Sequence, residues 1–117
     1  EVSEAMDIIR DDITNTYKND FVRKYKNTNN NREIFVSAVN DYFASLAGQE
    51  ILSPDFDNTA AQDIDAMRQY LVSQGIDARD MKDADIKQQK FGRSVFVKSN
   101  IEIAEAMTDL TFTNVMN

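Results

Sequence analysis

Hydrophobic periodicity switches from helical to strand-like at Phe91, about three quarters of the way along the chain, and that switch constrains the fold more than any other feature. Before it, the sequence reads almost entirely as helix. After it, FGRSVFVKSNIEIAEAMTDLTFTNVMN carries two runs of strand-like alternation. An isolated strand pair is marginal in water, so these strands must lie against helices, receive a strand from elsewhere, or both. The expected fold class is α+β: three main helices packed on a small antiparallel sheet formed largely by the C-terminal strands.

The helices follow from apolar spacing. Val2, Met6, Ile9, Ile13, Tyr17 and Phe21 recur every three or four residues and predict a helix over most of residues 2–23. Lys26 to Asn31 (KNTNNN) has nothing to bury and reads as a loop. Phe35, Ala38, Val39, Tyr42, Phe43 and Leu46 restore the period and predict a second helix over 32–47, with Gly48 placed for a left-handed cap. Ile51 to Asn58 contains the chain's single Pro and reads as an extended crossing or turn. Thr59 and Gln62 have capping-box spacing, so a third helix is expected over 60–74, with Ile64, Met67 and Leu71 inward and Gly75 closing it. Asp77 to Lys90 is charged, with Met81 and Ile86 as its apolar pair, and reads as a weakly buried connector.

In the strand part, Val95, Val97, Ile101 and Ile103 share one side, opposite Phe96, Lys98, Asn100 and Glu102. A link over 104–109 leads to a second strand, where Leu110, Phe112, Asn114 and Met116 alternate with Thr111, Thr113 and Val115. The length suits a single domain over 1–117, helical over 1–90 and stranded over 93–117. The chain starts at Glu1 without Met, as expected of a piece cut from a longer polypeptide, and it has neither a signal-peptide pattern nor an apolar run of membrane-spanning length.

Composition removes whole classes of chemistry. With no Cys and no His, the chain lacks disulfides, thiol nucleophiles, zinc–cysteine sites and imidazole bases. Twenty acidic residues against thirteen basic ones give a net charge of −7, which repels phosphate backbones and argues against nucleic acid as a partner. Asp55 and Asp57, with Asn58 and Thr59, start like a calcium loop, but the sixth position has no Gly and the twelfth no Glu; a turn feeding a helix is the better reading. Asp77, Asp80, Asp83 and Asp85 lie in a polar segment with no aromatic pocket to raise a carboxyl pKa, and read as a solvated face. Lys18, Arg23, Lys24 and Lys26 straddle a helix end, where cations suit the dipole and an acidic protein surface could also meet them. Gly48, Gly75 and Gly92 are too far apart to build a phosphate cradle. No catalytic, cofactor-binding or metal-binding residue is assigned, and no enzyme activity or small-molecule substrate is expected.

A family resemblance runs in order through Asp11 to Arg32, the helix IFVSAVNDYFASL, GQEIL with PDFDN and the closing strands; its most specific parts are Asn27 to Arg32 followed by the helix of Ile34 to Leu46, DIDAMRQYLVSQGID at Asp63 to Asp77, and VFVKSNIEIAEAMTDLTF. Together they resemble the C-terminal domain of contractile phage tail sheath proteins, especially those of Gram-positive myoviruses and PBSX-like prophages. One departure is that the family usually has a Gly-Lys pair where this chain has Arg23 and Lys24. The resemblance implies a structural virion protein without cofactor, assembled in the host cytoplasm. Its implied partners are other copies of the sheath protein and the tail tube protein, with no nucleic acid and no membrane insertion. It implies six-membered rings that contract around the tube, with terminal arms exchanging strands between subunits. On that basis Leu110, Thr111, Phe112, Thr113, Asn114 and Val115 are the expected intersubunit strand, and Arg23, Lys24 and Lys26 the residues expected to face the tube or a neighbour. Truncation after Asp109 is expected to leave soluble domains that no longer form tubes. The alternative is a non-enzymatic phage adaptor or binding module that uses the same strand edge for another protein.

Overall fold

The computed structural model describes residues 2–22, 24–104 and 108–116. Helix α1 (Val2–Thr16) continues into a π-helical turn, Tyr17–Phe21, closed by a hydrogen bond that the Val22 amide donates to the Tyr17 carbonyl at 2.9 Å. The wider turn keeps Tyr17 and Phe21 on the same side. Both meet the Phe35 ring edge-on, at 5.4 and 5.0 Å between centroids.

Helix α2 (Asn29–Gly48) starts three residues before the expected Arg32, because Thr28 takes the N-cap position and its hydroxyl accepts from the Asn31 amide. At its other end the helix runs through Gly48. The left-handed position falls on Glu50 (φ 59°), while Ile51 donates to the Leu46 carbonyl and Glu50 to that of Ala47. These two bonds satisfy the last carbonyls in the Schellman manner, so the cap forms on a residue less suited to it than Gly48.

The expectation of a helix from residue 60 is overturned. Thr59–Gln62 is a strand, β1, and the cap of helix α3 (Ile64–Ser73) is Asp63, whose carboxylate accepts from the Ala66 amide at 3.1 Å. Thr59 and Gln62 have capping-box spacing, but Gln62 is buried and reaches Arg32 instead. Closure at Gly75 follows the sequence reading: its φ is 85°, and Ile76 donates to the Leu71 carbonyl. A short helix α4 (Asp83–Lys87) precedes β2 (Val95–Ile103) and β3 (Thr108–Met116). The last strand begins before the expected Leu110, and residues 105–107 of the expected link lie outside the described residues.

The strands form a three-stranded antiparallel sheet in the order β1-β2-β3, so the C-terminal pair gains a third strand from within the chain. One sheet face carries Val95, Val97, Ile101, Phe112 and Met116 against α1 and α2, in a core with Ile9, Ile13, Phe35, Val39 and Phe43. Each of these large side chains contributes on the order of 1.5–3 kcal/mol by leaving water. The Leu52 bridge to Ile103 ties the crossing after α2 to the end of β2.

A second cluster lies on the other sheet face, where Phe96, assigned above to the polar side, is covered by Tyr70 and Phe91. Met67, Leu71, Ala78 and Ile86 complete it. The segment from Asp77 to Lys90 is therefore more than a weakly buried connector: Ala78 and Ile86 are fully buried. Arg68 makes this polar stretch foldable by donating to the carbonyls of Ala78 and Met81, both at 2.7 Å, and pairing with Asp83 at 3.0 Å.

Candidate assembly interface

The sheet has two edges, and the fold treats them differently. At the β1 edge, Asn40 of α2 turns its side-chain amide onto Ala60, accepting from its N–H at 2.8 Å and donating to its carbonyl at 3.1 Å. Both outward backbone groups of Ala60 are thus occupied, as a neighbouring strand would occupy them. Asn40→Leu should cost about 1 kcal/mol by leaving this half-buried pair of backbone groups without its partner. A shifted denaturation midpoint and increased light scattering, as a second edge opens, are the measurements.

At the other edge the direction of the backbone can be worked out from register. The Asp63 amide donates to the Phe96 carbonyl at 3.0 Å, Ser53 donates to that of Glu102 at 2.9 Å, and the Glu102 amide donates to the Asn58 side chain at 2.9 Å. Even-numbered residues of β2 therefore point their backbone groups toward β1, and odd-numbered ones toward β3. Val97, Ser99 and Ile101 pair with Asn114, Phe112 and Leu110. Leu110, Phe112 and Asn114 are thereby committed to β2, while Thr111, Thr113 and Val115 direct N–H and C=O away from the sheet.

The expected interface segment thus divides in two. Its whole length folds back on Val95–Ile103, and only alternate residues present an edge. Truncation after Asp109 would also remove Phe112 and Met116 from the core, so loss of fold would accompany any loss of assembly. The inner face of β3 is anchored to α1, where Asn114 donates to the Thr14 hydroxyl at 3.1 Å and Arg10 lies over the Phe112 ring at 4.9 Å. On the outer face Thr111 donates to Asn100 at 3.1 Å and Thr113 to Asp63 at 2.6 Å, while Val115 is 54 % exposed. The edge residues Thr111, Thr113 and Val115 include no Pro and no Lys, the usual devices that keep a free edge from pairing.

Of the basic group, Lys18, Lys24 and Lys26 are exposed at and after the π-helical turn, and Arg23 lies outside the described residues. Asp55 and Asp57 are exposed beside the turn that leads into β1. Asp77, Asp80, Asp83 and Asp85 are exposed too, with Asp77 facing Arg79 and Asp83 facing Arg68. Among the described residues no helix is long and apolar enough to cross a membrane.

A polar group that sequence reading did not single out is Arg32. It is buried, donating to Gln62 Oε1 and Asn27 Oδ1, both at 2.8 Å, and to the Lys87 carbonyl, with its guanidinium 5.1 Å from the Phe91 ring centre. Burial pulls its pKa below the ordinary value, and the Glu33 carboxylate opposes that shift. A charged residue flanked by Asn and Glu at a helix start gives no pattern that distinguishes it from a solvated cap.

Comparison with known proteins bears on the family of the chain. The family model described as the phage tail sheath C-terminal domain matches residues 1–117. A tail sheath protein of Clostridium phage phiCD119 is 33% identical over 107 residues, which is 92% of this chain and 30% of that protein. The chain therefore spans less than a third of the relative's length. By the match across its whole length, the chain belongs to the phage tail sheath C-terminal domain family.

Proposed function

We propose that this chain is the C-terminal domain of a structural subunit of a contractile phage tail sheath. Copies polymerise in six-fold helical rings around the tail tube, and contraction drives the tube through the host envelope. The observation that carries this reading is the asymmetric sheet: Asn40 occupies the outward backbone groups of Ala60 on β1, while Thr111, Thr113 and Val115 leave the β3 edge ready to add a strand from a neighbouring copy. Main-chain pairing at an edge suits a machine whose domains rotate, because the ladder moves as a rigid body while other interfaces change. Lys24 and Lys26 present positive charge to an acidic surface of the tube or of the next subunit. Family membership supports a structural role in the virion rather than catalysis.

Electron microscopy of the full-length parent protein after expression is the test. Long hollow tubes are the expected result. A dispersed monomer with a one-to-one partner would instead identify an adaptor that uses the same edge.

A further inference from the structure

Between α1 with its π-helical turn and α2 runs an open groove of about 330 Å³ that neither core cluster fills. Its floor is apolar, made by Ile13, Ala38 and Val39, and the small Ala38 leaves the depth. Its rim is polar and acidic, with Asp12, Asp20, Asn19 and Tyr42, and no Lys or Arg lines it. Tyr42 donates to Asp12 Oδ2 at 2.6 Å, which fixes that carboxylate at one end while occupying one of its oxygens. Burial, reinforced by the bond to Asp12 and by its charge, holds the Tyr42 phenol well above its usual pKa, so the donor stays protonated.

An aliphatic floor with carboxylates at the rim matches one chemical class of occupant, a lysine or arginine side chain that lays its methylenes on the floor and its charge at the rim. The same chain displays such groups on another side of the same turn. Lys26 lines a separate crevice with Tyr17, Phe21 and Arg32, whereas Thr16, Asn19 and Asp20 line the groove. Acidic groove and basic loop are different surfaces of one molecule. Two copies can pair them, either reciprocally across a two-fold axis or repeatedly around a ring or along a filament, and the sheath reading favours the repeating form.

We infer that the α1–α2 groove receives Lys24 or Lys26 from a second copy of this chain. This rests on the sheath reading above and adds to it the acidic counterpart of the basic loop. It is a side-chain contact, independent of strand addition at β3.

The test is charge exchange in the full-length parent protein, read by sedimentation and electron microscopy across a salt series, with circular dichroism as the fold control. Asp20→Lys should lower the assembled fraction about tenfold, as expected for reversing one member of a close interfacial charge pair. The fold should survive, because Asp20 is exposed and a cation near a helix C-terminus suits the dipole. Lys24→Glu with Lys26→Glu should cause a similar loss, and all three changes together should restore assembly. Ala38→Leu, which fills the floor without altering charge, should also impair it. Tubes from Asp20→Lys that match wild type would overturn the inference while leaving the sheath reading intact. Loss in each single set without restoration in the combination would overturn the second-copy assignment. A wild-type protein that stays dispersed at every salt concentration would overturn both.

Discussion

Proline placed at Thr111 or at Val115 should leave the domain folded and abolish tube formation, whereas proline at Phe112 or Asn114 should unfold it. Register gives the reason. Phe112 and Asn114 exchange backbone hydrogen bonds with Ser99 and Val97, so a missing N–H there breaks the ladder and displaces side chains that are buried. Losing one such bond in a buried setting costs about 1–3 kcal/mol, and truncating a buried Phe adds roughly 3–5 kcal/mol. Together these approach the whole stability of an ordinary domain. Thr111 and Val115 point their N–H groups away from β2, where proline costs the fold little. The same substitutions remove the donors that an incoming strand would meet. Denaturation of each variant, followed by microscopy of the corresponding parent proteins, separates the outcomes. Tubes from both outward variants would refute strand addition at this edge, and unfolding by both would refute the assigned register.

Much of this architecture was legible because burial imposes period on sequence. Ile9, Ile13 and Tyr17, like Phe35, Val39, Phe43 and Leu46, lie inward as their spacing requires. Val95, Val97, Ile101 and Ile103 do so on β2, and the mild polar face of the last strand is the exposed one. Strand β1 was not legible. Thr-Ala-Ala-Gln has little strand preference of its own and mimics a capping box; pairing with β2 and the Asn40 amide hold it extended. Asp63, directly before Ile64, was the signal available for the true helix start. The burial of Phe96 lacks a local signal for a related reason. Alternation says which side a residue takes, but not that α3 will cover one end of the outer face.

The candidate site divides the same way. An unfinished strand pair at the end of the chain was visible in its alternation, and so was the need for something beside it. Which half of Leu110–Val115 faces outward depends on hydrogen-bond parity, set by the pairing of β2 with β1. Since β1 itself was hidden, no reading of side chains alone could divide the segment. The closed edge depends likewise on Asn40 meeting Ala60 across twenty positions of sequence, a pairing without local signature.

Arg32→Met should destabilise the domain by roughly 3–5 kcal/mol, because one side chain joins elements that share little apolar contact. The second cluster, built on α3, α4 and Phe91, meets the rest of the molecule through Phe96 and through polar bonds around the start of α2. Arg32 reaches across to the Lys87 carbonyl and the Phe91 ring, while Asn27 donates to the carbonyls of Gly92 and Ser94 at 2.9 and 3.0 Å. Gln62, held by Arg32, passes the connection to Asn29 at 2.9 Å and fixes the end of β1. Removing the guanidinium strands several acceptors at once, and methionine, though similar in length, satisfies none of them. Lysine keeps the charge but not the planar fork, so Arg32→Lys should recover less than half of the loss. Amide exchange should show α3 and α4 opening first in the variant, with α2 and β2 protected longer. In a double-mutant cycle with Gln62→Leu, the combined loss should be smaller than the sum, since the apolar pair leaves no acceptor at Gln62 to satisfy. Stability of Arg32→Met within about 1 kcal/mol of wild type would show that Arg32 is not what joins the two clusters.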